Sequence, residues 1–283
     1  MNYKSILNLL GILLAIFSLS FIPPLILSVL YAEQLSEIFL YSFLFLIILG
    51  GFMWFANRQN DLPLNISDGF IITTMFWVVL ACAGSIPFYF FGLSANDAIF
   101  ESVSGITTTG ATVIVGLDEL PKSLLLYRQL LQWIGGMGLI ILAVAVMPAL
   151  GIGGGQLYKM ELPGSHGNQR LTPKITDSAK ALWKIYFGLT VICAFLYVLS
   201  GMNLFDAIAH SLSTVAGGGF STHDASIGFF NSGLIETVCI IFMLLSAASF
   251  AVHYAAIFGG KPLKYFYDSE FRFFLSVVTS IAI

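Results

Sequence analysis

The sequence runs to 283 residues, 58% of them hydrophobic and only 10% charged. A soluble chain needs about a quarter of its residues charged to cover its surface, so two or three soluble domains are excluded. The formal net charge of −3 leaves no basic patch for nucleic acid, and Cys82, Cys193 and Cys239 stand singly in apolar runs, as small buried hydrophobes do, not as disulfide or zinc frameworks.

A bilayer core about 30 Å thick asks for about 20 apolar residues in a helix. Six runs meet or approach that length: Ile6–Leu30, Ile38–Ala56, Gly69–Phe91, Leu124–Leu150, Trp183–Ser200 and Leu234–Phe258. The first is too long for a signal-peptide core and has no small-residue cleavage motif after it, so it reads as a transmembrane helix. A seventh run opens at Phe271 and has about thirteen residues by Ile283, too few to cross, so the sequence reads as part of a longer protein.

Cations set the orientation. Lys4, Arg58, Lys159, Arg170, Lys174, Lys180, Lys184, Lys261, Lys264 and Arg272 fall on one side if the six runs alternate, with Lys122 and Arg128 at the other face. The expected amino terminus is cytoplasmic. The alternation holds only if two further apolar segments, Ala95–Val115 and Phe205–Phe220, do not cross. Both are short and end in Gly- and Thr-rich sequence, which fits re-entrant loops from the outer side, where irregular backbone is buried in protein or lines a wet cavity.

These two segments are copies. Asp97-Ala-Ile-Phe-Glu-Ser-Val-Ser-Gly-Ile-Thr-Thr-Thr-Gly-Ala-Thr112 aligns without a gap on Asp206-Ala-Ile-Ala-His-Ser-Leu-Ser-Thr-Val-Ala-Gly-Gly-Gly-Phe-Ser221. Asp97/Asp206, Ala98/Ala207, Ile99/Ile208, Ser102/Ser211, Ser104/Ser213 and Gly110/Gly219 are identical. Each copy lies between two spans, so the chain repeats a helix–loop–helix unit in one orientation. Asp97 and Asp206 are placed to cap a short descending helix, whose partly negative C-terminal end then points to mid-membrane. Beyond it, glycines permit the positive φ angles that let successive carbonyls face one axis, and rings of carbonyls replace the hydration shell of a cation. With no carboxylate in the loop tips, a monovalent cation is expected, potassium before sodium.

Other residues carry two readings each. Glu101 and His210, equivalent in the two copies, are either charges at an outer mouth or hydrogen-bonded groups behind the loops, the second being commoner. His253 is an ionisable group at membrane depth and so a site candidate, but a helix–helix hydrogen bond is the simpler role. Gly135, Gly136 and Gly138 serve as a hinge or, more commonly, as a close-packing face. Gly151–Gly155 lacks the flanking strand and the Lys-Ser/Thr of a phosphate loop, leaving a mobile cytoplasmic connection. Lys159, Arg170, Lys174 and Lys180 record topology and could also meet an acidic partner.

At Thr107-Thr-Thr-Gly-Ala-Thr112, Gln132-Trp-Ile-Gly-Gly-Met-Gly138, Leu171-Thr-Pro-Lys-Ile-Thr-Asp-Ser-Ala-Lys-Ala-Leu-Trp183 and Gly218-Gly-Phe-Ser-Thr-His-Asp224 the chain resembles the Trk/Ktr/HKT superfamily of potassium transporters. The two additional front helices favour its bacterial Trk membrane subunits over the shorter Ktr members. The resemblance implies an all-α polytopic membrane protein of helix–pore-loop–helix repeats. Its parts would be two N-terminal helices (1–67), a first unit (68–150), a cytoplasmic connection (151–176), a second unit (177–260), and a link with the start of a third unit (261–283). It implies a bacterial inner-membrane subunit of a potassium uptake system, with K⁺ as the transported ion and no organic cofactor. A homodimer and a cytosolic nucleotide-binding regulatory subunit like TrkA are the implied partners. Carried over by motif, K⁺ would be held by the backbone carbonyls of Thr108, Thr109, Gly110, Ala111, Gly217, Gly218, Gly219 and Phe220. Gly217 departs from the family, which more often has a bulkier residue there. Two units supply half of a four-unit ring, so residues 1–283 alone are expected to insert without conducting.

A secondary transporter binding Na⁺ or a small substrate at broken helices is the competing reading, but such carriers usually relate their halves by inversion. An enzyme lacks support: no paired Asp in a span, no His-Glu-x-x-His and no helical Ser–His pair is present.

Overall fold

The computed structural model describes residues 3–58, 66–146, 175–261 and 263–282, and in these the regular structure is helical throughout. The helices are α1 (Tyr3–Ser18), α2 (Ile22–Leu30), α3 (Ser36–Asn57), α4 (Ile66–Gly84), α5 (Ile86–Phe91), α6 (Ala95–Ile106) and α7 (Lys122–Val146). After them come α8 (Ile175–Leu199), α9 (Leu204–Ala216), α10 (Gly233–Ser246), α11 (Phe250–Ile257), α12 (Lys264–Tyr267) and α13 (Ser269–Ala282). Gly151–Gly155, Lys159, Arg170 and Lys174 lie outside the described residues.

Among the described residues, four stretches are long and apolar enough to cross a membrane: Tyr3–Leu30, Ser36–Asn57, Asp68–Phe91 and Lys180–Leu199. The first and third each contain a break at proline. Pro23 and Pro24 sit in the first turn of α2, and Pro87 sits in the first turn of α5. A proline has no N–H to give the preceding turn but is tolerated at a helix start, so each run divides into two nearly continuous helices. The apolar run Leu234–Phe258, outside those four, divides at Ala247-Ala248-Ser249 into α10 and α11. There His253 Nε2 meets the Leu245 carbonyl at 2.9 Å and its Nδ1 meets the Tyr265 hydroxyl at 2.6 Å. His253 is thus a hydrogen-bonded junction residue, the plainer of its two roles.

Two apolar cores organise the chain. One gathers α1–α6 around Phe21, Phe39, Phe76 and Phe88. The other gathers α8, α9 and α10 around Tyr186, Cys193, Tyr197 and Phe242. Helix α7 belongs to both: Leu124, Tyr127 and Leu131 enter the first, and Met137 enters the second. Its glycines allow this double docking. A Cβ on Gly135 would overlap the Ile106 carbonyl at the end of α6, and one on Gly136 would lie 3.2 Å from the Ala216 Cα at the end of α9. A Cβ on Gly138 would meet the Trp77 ring at 2.9 Å. The glycines are a packing face, as small residues usually are between membrane helices.

The start of α7 is held by an outside residue. Glu33, in the turn between α2 and α3, accepts the backbone N–H of Lys122 at 2.7 Å and of Ser123 at 3.1 Å. A carboxylate there satisfies two orphan donors and matches the positive end of the helix dipole.

Helices α1 and α3 cross at Gly11 and Gly50, where a Cβ on Gly50 would lie 2.6 Å from the Gly11 carbonyl oxygen. Gly51, one residue on, has open space beside it. Gly50→Leu is therefore expected to destabilise the front helix pair by about 1–3 kcal/mol, and Gly51→Leu to leave it nearly unchanged. Thermal unfolding of the two variants in detergent checks this, and equal midpoints would refute the crossing.

Candidate functional site

Helices α6 and α9 begin alike. Ser94 and Asn203 are the caps, each with a side-chain oxygen accepting the N–H of the residue three further on, at Asp97 (3.2 Å) and Asp206 (3.0 Å). The expectation that Asp97 and Asp206 themselves cap these helices is corrected. They stand one turn inside, where Asp97 takes the Ser94 hydroxyl hydrogen at 2.7 Å and Asp206 takes an Asn203 amide hydrogen, so each carboxylate orients the cap side chain that accepts its own N–H.

The two helices also end alike. Thr109 N–H bonds the Ser104 carbonyl at 2.9 Å, and Gly218 N–H bonds the equivalent Ser213 carbonyl at 3.0 Å. The residues before them, Thr108 and Gly217, close the inner bond of the same helix-end motif and have φ of +56° and +69°. Gly217, the departure from the family pattern, thus stands where glycine is the usual residue. Thr108 is the exception, since a β-branched side chain rarely adopts positive φ. Two residues on, Gly110 (φ +79°) and Gly219 (φ +83°) repeat the left-handed geometry, while Thr109 and Gly218 do not have it. Alternation in the sign of φ turns successive peptide planes toward one side, as a carbonyl-lined path requires.

The loop tips touch each other. A Cβ on Gly110 would overlap the Gly218 carbonyl oxygen, so the first loop passes the second backbone against backbone. Gly218 in turn lies against the carboxamide of Gln132, whose Oε1 accepts the Phe220 N–H at 3.0 Å.

Behind the tips, equivalent residues brace the ascending strands. Glu101 is fully buried and accepts from the Thr112 hydroxyl (2.9 Å) and Val113 N–H (3.3 Å). His210 faces the Ser221 hydroxyl at 2.9 Å and the Asp206 carbonyl at 2.9 Å. Both therefore sit behind the loops and not at the outer mouth. The cation facing Glu101 is Arg128 of α7, also fully buried, with Nε and Nη2 on Glu101 Oε1 at 2.8 and 2.7 Å. Its Nη1 donates to the Ser221 carbonyl at 3.0 Å, its Nη2 to the Thr112 hydroxyl at 3.0 Å, and its plane covers the Phe220 ring at 4.3 Å. One guanidinium thus holds both loops.

Above the tips the loops are joined again. Asp224 accepts the N–H groups of Gly116 (3.1 Å) and Leu117 (3.2 Å). His223 bridges two carboxylates, Asp118 through Nδ1 and Asp206 through Nε2 at 3.2 Å, and stacks on Phe229 at 3.5 Å. The hydrogen bond from His223 holds the exposed Asp118 carboxyl below the usual carboxylate range.

Sequence reasoning brought the eight loop residues together but assigned no role to Glu33, Asp118, Gln132 or His223, and used Arg128 only as a topology marker. The available signal was polarity: Arg128, Gln129 and Gln132 are all fully buried in one apolar run, and an intramembrane polar group needs a partner.

Removing one member of a buried ion pair strands the other. Arg128→Met or Glu101→Leu alone should cost about 3–5 kcal/mol, and the double variant clearly less than the sum. A double-mutant cycle of detergent unfolding measures this, and strict additivity would show that the pair is not coupled.

The model of the family described as "Cation transport protein", TrkH, matches residues 35–283. The Trk system potassium uptake protein TrkH of Vibrio parahaemolyticus is 50% identical over 282 residues, which is 98% of this chain and 58% of that protein. Its Escherichia coli K12 counterpart is 44% identical, over 100% of this chain and 59% of that protein. The crystal structure of the potassium transporter TrkH from Vibrio parahaemolyticus superposes with a TM-score of 0.83 at 48% identity, covering 97% of this chain and 56% of that one. The chain thus spans a little under three-fifths of the length of these relatives. With a family match over most of its residues and this level of identity, the chain belongs to the TrkH family of cation transport proteins.

Proposed function

We propose that the chain is the ion-conducting, membrane-spanning part of a potassium uptake system. It passes dehydrated K⁺ along the backbone carbonyls of Thr108–Ala111 and Gly217–Phe220. The observation that carries this reading is the matched pair of left-handed positions, Thr108 and Gly110 against Gly217 and Gly219, on two loops that meet tip to tip. Thr108 and Gly217 are accounted for by the ends of their helices, but the second left-handed position, at Gly110 and Gly219, lies beyond the helix-end motif and is not needed for it. The loop tips carry no carboxylate, which favours a monovalent over a divalent ion. The names of the relatives, potassium uptake proteins of Trk systems, point to the same ion.

The remaining parts of the proposal follow from the family and the cation distribution. Residues 1–67 form a front helix pair, 68–150 and 177–260 are the two loop-bearing units joined by 151–176, and 261–283 lead into a further unit. The amino terminus is cytoplasmic in a bacterial inner membrane. The working assembly is a homodimer with a cytosolic nucleotide-binding partner like TrkA.

Gly110→Asp and Gly219→Asp test the ion path in the full-length gene. A Cβ at either position meets positive φ, and at Gly110 it also meets the Gly218 carbonyl. Both should reduce rubidium uptake about tenfold or more in a potassium-uptake-deficient strain. Near-normal uptake by both variants would mean that these glycines serve packing alone.

A further inference from the structure

We propose that Gln132 is a specificity-determining positioning residue for the ion path. Its buried carboxamide holds the second loop tip in place against the first and keeps one N–H for the loop backbone. This rests on the ion-path reading above.

Gln132 is fully buried, and its two amide ends differ. Oε1 accepts the Phe220 N–H at 3.0 Å, while Nε2 has no hydrogen-bond partner among the described residues. Because a backbone N–H can only donate, the oxygen must face Phe220 and the nitrogen is the free end. Gln129 on the same helix is also buried with its amide unpartnered among the described residues, but the Gln132 nitrogen stands beside the loop backbone.

The position of the amide supplies its role. A Cβ on Gly218 would lie 2.5 Å from Oε1 and 2.6 Å from Nε2, and one on Gly110 would lie 3.7 Å from Nε2. The carboxamide therefore fills the seam where the first loop crosses the second. Gly218 lacks positive φ, so its backbone geometry does not require glycine. What excludes a side chain there is Gln132. Standing beside this backbone contact, the amide fixes where the Gly218 segment sits against the first loop, and that position sets the width offered to an ion. A carbonyl that faces a cation when one is bound needs another partner when it is not, and the free Nε2 hydrogens lie beside two such backbones.

The test uses the full-length gene in a potassium-uptake-deficient strain, with membrane protein levels measured by immunoblot. Gln132→Leu removes both amide functions, Gln132→Glu keeps the acceptor and removes the donor, and Gly218→Ala is made alone and together with Gln132→Ala. Expected for Gln132→Leu are a rubidium KM raised about tenfold, a matching loss of discrimination against sodium in competition, and a maximal rate within about threefold of wild type. Gln132→Glu should shift KM in the same direction by less. Gly218→Ala should lose uptake and regain it with Gln132→Ala, because truncating the glutamine vacates the space. Unchanged KM and sodium competition in Gln132→Leu at normal protein level would overturn the proposal. Should Gln132→Leu fail to reach the membrane, Gln132→Glu and the Gly218 pair decide: an unshifted KM, or a double variant as inactive as Gly218→Ala, overturns it equally. A wild type that takes up no rubidium would sink the ion-path reading itself.

Discussion

A single guanidinium sets the terms for the rest of this architecture. Arg128 has no exposed surface, so its charge must be met entirely by protein. Glu101 neutralises it, and the remaining donors reach the Thr112 hydroxyl and the Ser221 carbonyl. A charge of this kind tolerates little displacement, since moving either loop leaves a donor or a carboxylate unpaired at low dielectric. Neither Glu101 nor Ser221 can shift without breaking a contact to the other loop's support. The price in desolvation is offset only when α6, α7 and the segment after α9 are all in place, which couples the two units into one body at their functional end.

The two units solve one mechanical problem with different chemistry. In the first, an anion braces the ascending strand and demands a cation. In the second, His210 does so between the Ser221 hydroxyl and the Asp206 carbonyl, and needs no counter-charge. Helix starts use Ser94 or Asn203, and helix ends use Thr108 or Gly217, with the same backbone geometry in each case. Duplication has preserved conformation more closely than side-chain identity, because the backbone is what both loops present.

Helix α7 makes the pairing possible. Gly135 and Gly136, adjacent residues about 100° apart around the helix, let the ends of α6 and α9 dock on two neighbouring faces of it. Above them Gln132 backs the second loop tip, and Arg128 closes the space behind both. Glu33 holds the beginning of the same helix from the front pair. These contacts on one helix hold both loops side by side.

Much of this was legible in the residues. Apolar length located the helices, the gapless match from Asp97 to Thr112 located both loops, and Gly110, Gly217 and Gly219 marked three positions where φ turns positive, because each of these depends on local chemistry, whereas Thr108 and Gly218 broke that pattern. The capping residues were misplaced by one turn, since Ser94 and Asn203 compete with Asp97 and Asp206 for the same N–H groups and only geometry separates them. Arg128, Gln132 and the Asp118–His223–Asp206 bridge were out of reach for a different reason. Their partners lie far along the chain or on the other loop, and the value of a buried polar group depends on what stands opposite it. The sequence by itself determined a twofold helix–loop–helix chain with a bend at each loop tip. Only the tertiary structure decided that the tips touch at Gly110 and Gly218 and that one arginine holds both, because burial, which makes such contacts obligatory, exists only once the helices have packed.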